Sequence, residues 1–363
     1  MTDESKKKRN KIIIIVSITI GALLVNYFAG GLIATSIVNE TIINKRGSDS
    51  ESINDLTYSY QKVQRDYPLM APREKLTFSC GKETLQGYFY EVENPHGVVI
   101  SSHGVNSQAD GNNAQYQNYF IEKGWDVFSF DSTGCGLSSG KGMKTLYESR
   151  YCVKSAIEFV QNYSKTQGLS ICLVGHSWGA YGVVTASGDL PVSAVCSFSG
   201  YDKPSEMMYS FAASYVSPAL IVTKPALDFS LSLLQGQNAF TSASGVIKKS
   251  SQTKYVIVQG DKDETVPLNK YSIYDNIVNK KLDNVTCYLL EGFGHITPWK
   301  SKDANDYCNN VIKPQLDELN EKYNNYIPSS ERNKFLSTVD KEKSSALNYE
   351  LLDSINNIFL KSI

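Results

Sequence analysis

The strongest hydrophobic signal in the chain comes first. Ile12 to Val38 reads IIIIVSITIGALLVNYFAGGLIATSIV, 27 residues without a formal charge. About 20 apolar residues in a helix cross a bilayer. Glycine is common in such helices, so Gly21, Gly30 and Gly31 fit, and Asn26 is the one strongly polar residue inside. A polar stretch follows over 39–70, rich in Asn, Ser, Asp and Glu, and reads as a stalk. From about Glu74 the pattern changes again. Lys75–Cys80 and Leu85–Val92 read as two antiparallel strands joined by a turn at Gly81-Lys82-Glu83. Short apolar, β-branched runs then recur at Val98–Ser102, Trp125–Phe130, Ser170–Val174, Val192–Phe198, Tyr255–Val258 and Val285–Leu290. Helix-like stretches lie between them, at Asn113–Lys123, Leu146–Tyr163, Tyr181–Ala186 and Tyr271–Asn279. This alternation predicts an α/β fold, a doubly wound and mostly parallel sheet covered on both faces.

Two segments interrupt the alternation. Residues 201–250 separate consecutive strands by about 50 residues and carry helical patches such as Leu227–Leu234, which predicts a small helical lid. Met207, Met208, Tyr209, Phe211, Tyr215 and Leu220 are apolar side chains there, fit either for an apolar pocket or for packing the lid on the domain. Residues 300–363 form a C-terminal helical extension, in which Leu351, Leu352, Ile355, Ile358 and Phe359 approximate one helix face that packs against the sheet.

Charge adds direction to this outline. Lys6, Lys7, Lys8, Arg9 and Lys11 precede the apolar run, whereas Lys45 and Arg46 are the only cations after it as far as Tyr60. The positive-inside rule puts residues 1–11 in the cytoplasm, 12–38 across the membrane and the remainder outside. A cleaved signal peptide shares the basic start, and Ala34 and Ser36 are small enough for a cleavage site. Its apolar core spans only roughly 7–15 residues, however, so the run reads as an uncleaved anchor. The net charge of −1 excludes a global attraction to nucleic acid. Seven scattered cysteines with no C-x-x-C pair form neither a disulfide framework nor a zinc spacing, and Cys172 and Cys196 fall in strand-like runs as core residues.

The chemistry centres on Gly175-His176-Ser177-Trp178-Gly179, a G-x-S-x-G placed between an apolar strand and an apolar helix-like run. A strand–turn–helix of this kind holds a serine hydroxyl exposed at the strand end. A serine needs a base near neutral pH, and the chain has four histidines. His176 adjoins Ser177 with its side chain expected to point away. His96 precedes a strand, and His103 is followed by Gly104 in a loop suited to oxyanion donors. His295, in Glu291-Gly292-Phe293-Gly294-His295 after the last strand-like run, is left as the base. Its orienting carboxylate falls in Gly260-Asp261-Lys262-Asp263-Glu264-Thr265-Val266-Pro267. Asp263 is the choice, Asp261 the runner-up and Glu264 the outsider. Oxyanion donors are expected from the backbone N–H of Trp178 and of Val105, with His103 fixing the latter's loop.

With these motifs in place, residues 74–300 resemble an α/β-hydrolase-fold serine hydrolase. The order Ser177, Asp263, His295 is the order of that superfamily. Asp131-Ser132-Thr133-Gly134-Cys135-Gly136-Leu137-Ser138-Ser139-Gly140 is similar to its D-x-R-G-x-G-x-S-x-G loop, especially in the monoacylglycerol lipase-like and serine aminopeptidase-like branch. Thr133 stands where that loop has Arg. The loop is no dinucleotide fingerprint, since Ser139 occupies the third glycine position. The resemblance implies a single hydrolase domain over 71–363. It also implies acyl transfer from a small-molecule carboxylic ester, small or monoacylglycerol-like, with no metal or organic cofactor. A peptidase or amidase on the same triad is the alternative, and an inactive membrane-tethered binding protein the third reading.

Overall fold

The computed structural model describes residues 3–46, 60–109, 111, 113–215, 224–268 and 271–363. Eight strands form one sheet: β1 (Glu74–Cys80), β2 (Glu83–Tyr90), β3 (Val98–Ser102), β4 (Asp126–Phe130), β5 (Ile171–His176), β6 (Ala194–Phe198), β7 (Lys254–Gly260) and β8 (Val285–Leu290). Their spatial order is β1-β2-β4-β3-β5-β6-β7-β8. β1 and β2 are antiparallel, β2 meets β4 antiparallel, and the pairs from β4 to β8 are parallel. β3, β4 and β6 are buried along their whole length, as parallel strands covered on both faces are, so no exposed positions alternate with their apolar ones.

The helices are α1 (Asp3–Val38), α2 (Ala114–Glu122), α3 (Glu148–Asn162), α4 (Trp178–Ala186), α5 (Pro204–Tyr215), α6 (Lys224–Gln235), α7 (Ala243–Lys249), α8 (Ile273–Ile277), α9 (Lys302–Tyr307), α10 (Lys313–Lys322), α11 (Ser329–Ser337), α12 (Lys341–Ser344) and α13 (Tyr349–Leu360). On one sheet face α2 and α13 pack together. Phe359 stacks on Phe120 at 5.6 Å between ring centroids and meets Trp125 edge-on at 6.0 Å. The face expected for α13 is therefore its buried one, with Leu351, Leu352, Ile355 and Phe359 in the core. The opposite face is covered by α3 and α4, whose buried residues merge with Met207, Met208 and Tyr209 of α5. These three side chains are packed in the core, and Leu220 and the side chain of Tyr215 lie outside the described residues.

The segment expected as a free stalk, 39–70, departs from that reading at both ends. After α1 a π-helical turn, Asn39–Ile43, continues the chain, and Val38 and Ile43 are fully buried. Arg46 donates to the carbonyls of Gly140 (2.8 Å), Gly136 (2.8 Å) and Ser138 (3.0 Å). At the other end Gln61, Val63 and Met70 are buried on the domain. Residues 47–59 of that segment lie outside the described residues. None of the seven cysteines is disulfide-bonded, and Cys172 and Cys196 are buried as expected.

Candidate active site

In a parallel sheet, loops at the carboxyl ends of neighbouring strands converge. Ser177 directly follows β5, Asp263 lies just beyond β7, His295 lies beyond β8, and His103-Gly104-Val105 follows β3. The fold thus gathers at one edge the residues that sequence had separated by more than 190 positions.

Ser177 sits at the sharp turn between β5 and α4 with φ 56° and ψ −113°, a left-handed backbone that L-residues rarely adopt. The turn is tight because its flanks are glycines. A Cβ at Gly175 would lie 2.4 Å from the Gly179 carbonyl oxygen, and one at Gly179 would lie 2.2 Å from that of Ser102. The G-x-S-x-G pattern is therefore a packing requirement as well as a motif. The loop after β3 comes close from the other side, since a Cβ on Gly104 would be 3.5 Å from that of Ser177.

His295 Nε2 lies 2.8 Å from Ser177 Oγ, and its Nδ1 lies 2.8 Å from Asp263 Oδ2. Asp263 is otherwise saturated. The Gln259 amide donates to Oδ2 at 2.8 Å, and the N–H groups of Thr265 and Val266 donate to Oδ1 at 3.0 and 2.8 Å. Burial pushes the Asp263 carboxyl up, but the His295 hydrogen bond and charge, with the Val266 and Gln259 donors, outweigh it and hold the group below its ordinary value. The two rival carboxylates stand elsewhere. Asp261 accepts from the Gly292 N–H at 2.6 Å, pinning the turn that leads to His295, and Glu264 is exposed.

His176 does not simply point away. Its Nε2–H donates to the backbone carbonyl of His295 at 2.8 Å, and its ring meets Trp299 edge-on at 5.3 Å. Burial pushes its imidazole down to about 3, so it holds the loop as a neutral ring. His103 fixes its loop as expected. Nδ1–H donates to the Gly104 carbonyl at 2.7 Å while Nε2 accepts from the Ser132 N–H at 2.9 Å, and burial lowers its pKa to about 4. Trp178, the first residue of α4, has no carbonyl four positions back within its helix to bond, so its N–H is open to another acceptor. Val105 is partly buried beside this turn.

The Asp131–Gly140 loop is tied down by its own first residue. Asp131 accepts from the N–H groups of Ala109 at 2.8 Å and Leu137 at 2.9 Å. Thr133, the departure from the superfamily pattern, donates to Glu148 at 3.2 Å. The loop still meets a guanidinium, but that of Arg46, which comes from the segment after α1. Neither Arg46 nor His176 carried a local sequence signal, because each acts on a partner about 90 or more positions away.

A cleft of about 570 Å³ opens beside His295, lined by Lys262, Thr265, Ile296 and Lys300 with residues of α9 and α10. A larger one of about 950 Å³, around Arg73, Phe89 and Lys165, lies at the amino edge of the parallel strands, opposite Ser177. Away from the site, Cys80, Glu148 and Cys152 place three metal-competent atoms within 4.8 Å of one another, but Lys144 already neutralises Glu148 at 3.6 Å.

This is the α/β-hydrolase fold, here preceded by an apolar helix. The chain resembles an esterase from Pyrococcus furiosus, Pf2001, in two crystal forms. They are 14% identical, with TM-scores of 0.51 and 0.50, over 79% of this chain and 100% and 99% of the esterase. Residues 93–200 match the family model of the serine aminopeptidases, S33, a segment that holds Ser177 but ends before Asp263 and His295. An uncharacterized protein of Bacillus subtilis, YqkD, is 22% identical over 313 residues, 84% of this chain and 98% of that protein.

Proposed function

We propose that the protein is a membrane-anchored serine hydrolase that cleaves carboxylic esters of modest size or of monoacylglycerol type. The observation that carries this reading is the continuous Ser177–His295–Asp263 relay, with 2.8 Å at each step. Ser177 Oγ attacks the ester carbonyl while His295 Nε2 takes its proton. Asp263 holds the imidazole in the tautomer with a proton on Nδ1 and stabilises the imidazolium. The N–H groups of Trp178 and Val105 receive the oxyanion. His295 then returns the proton to the leaving alkoxide, and water, deprotonated by the same ring, releases the acid and restores Ser177.

The helix Glu4–Thr41 is long and apolar enough to cross a membrane. The basic cluster Lys6–Lys11 before it supports a cytoplasmic N-terminus and a catalytic domain on the other side. The catalytic domain then extends from about residue 71 to 363, with 201–250 as its lid, and the preceding segment packs onto it through Arg46, Gln61, Val63 and Met70.

A second reading, hydrolysis of an aminoacyl amide by the same residues, is favoured by the serine aminopeptidase match over 93–200. Turnover of a p-nitrophenyl ester series against aminoacyl p-nitroanilides separates the two. The proposal expects ester turnover that falls at least about 10³-fold in Ser177→Ala. Faster turnover of the anilides would replace it with the peptidase reading.

A further inference from the structure

The buried positions of α1 fall on one stripe. Gly31, Ala34, Thr35 and Val38 are covered, while Ile12–Val16, Leu23–Val25 and Ile33 are exposed. What covers the stripe is the lid. A Cβ at Gly31 would lie 2.6 Å from the Ala226 backbone of α6, a close approach that only a glycine at 31 allows. Three residues earlier on α1, Phe28 meets Phe229 of α6 at 4.9 Å between ring centroids. Gly31 facing Ala226 and Phe28 facing Phe229 make the two helices antiparallel. Each further step along α6 therefore runs back down α1, into the apolar run.

Ala226 is buried against α1, and the next side of α6 is spent on the domain, where Leu227 and Leu231 are buried in the core. Phe229 and Leu233 lie on the flank beside α1 and Leu234 in the last turn, and they are 45%, 63% and 54% exposed. In the antiparallel register Leu233 falls near the level of Leu24. Counting about 1.5 Å per residue from Ile12, a hydrocarbon core of about 30 Å extends to about Gly31, so Leu233 and Leu234 lie about 10 Å inside its edge. Interfacial helices bury their apolar faces to about this depth. At the other end of α6 the charged pair Lys224–Asp228, at 2.9 Å, straddles the level of Gly31, with Lys224 beside Ile33 and Asp228 beside Ala29.

We propose that α6 lies in the membrane leaflet beside α1, with Phe229, Leu233 and Leu234 against the lipid acyl chains. The apolar surface of the anchor is joined to that of the lid through the Phe28–Phe229 contact. Because the lid leaves the carboxyl end of β6, and Arg46 grips the loop after the carboxyl end of β4, the sheet edge that carries Ser177 is turned toward the bilayer. This rests on the reading of α1 as a membrane span.

The test uses the full chain in nanodiscs of a phosphatidylcholine whose chains are either unsaturated or dibrominated, since bromine quenches only tryptophans that touch the chains. The native Trp125, Trp178 and Trp299 are fully buried in the domain and set the baseline. Leu233→Trp is the probe, with Leu234→Trp as a second in case the first fails to fold. Val16→Trp reports on α1, and Tyr326→Trp, at an exposed tail position, reports on the bulk. The added fluorescence of Leu233→Trp is expected to fall by about half in brominated discs, close to the loss in Val16→Trp, while Tyr326→Trp and the wild type stay unchanged. Quenching of Val16→Trp without quenching at 233 or 234 overturns the placement of α6 alone. No quenching at Val16→Trp overturns the membrane span and, with it, this proposal.

Discussion

The Nε2–H of His176 donates to the backbone carbonyl of His295 across 2.8 Å, so the residue before the proposed nucleophile holds the loop of the proposed base. The loop carries two glycines, Gly292 and Gly294, and needs such a tether to keep the imidazole in line. His176→Ala is therefore expected to lower kcat for a p-nitrophenyl ester about 10- to 100-fold, because small misplacements of a catalytic group cost that much. KM should change little. An unchanged kcat would show that the loop is positioned without this bond.

Asp263 and Asp261 are two residues apart, yet only Asp263 reaches the His295 ring. Asp263→Asn should lower kcat about 10⁴-fold by stabilising the wrong tautomer. Asp261→Asn, which weakens a turn contact to Gly292 and an exposed ion pair with Lys262 but touches no relay atom, should cost far less. Equal losses in both would remove the distinction.

Two buried histidines give stability a definite pH dependence. Burial holds His103 at about 4 and His176 at about 3, both below the ordinary value of about 6.5. Between these limits the unfolded chain binds more protons than the folded one, so the stability is present above about pH 6.5 and is lost as pH falls toward 4. The slope from the pair is roughly 2–3 kcal/mol per pH unit. Urea unfolding between pH 7 and 5 measures it, and His103→Gln should show a visibly shallower dependence than the wild type.

Arg46 bonds three carbonyls of the Gly136–Gly140 loop, and Val38 and Ile43 are fully buried. A fragment that begins at residue 47 loses all of these contacts. Arg46→Ala alone should cost about 1 kcal/mol, since the guanidinium is exposed and screened. The fragment should melt several degrees below one that begins at residue 31. Equal melting temperatures would return the segment to the status of a free stalk.

Much of this architecture was legible because it is local. Strands such as Val98–Ser102 and Val285–Leu290 are β-branched runs bounded by turn residues, and their limits agree with the structure. The relay residues were legible because each falls just after such a strand, where a parallel sheet must gather them. What stayed hidden depends on partners remote in sequence. The stripe through Gly31, Ala34 and Val38 looks the same in lipid as against a lid helix. The weakly amphipathic, charged tail read as helical but set no bounds for α11, whose one buried residue is Phe335. His176, adjoining Ser177 in sequence, was expected only to face away from it. The loop beyond β8 comes back to meet it nonetheless.

The most direct measurement is labelling of the full chain in native membranes with a fluorophosphonate, which reacts with an activated serine and not with an ordinary hydroxyl. The wild type is expected to label, and Ser177→Ala is expected not to. A folded wild type that stays unlabelled, or a Ser177→Ala variant that labels as strongly, would contradict the assignment of Ser177 as the nucleophile of a working hydrolase.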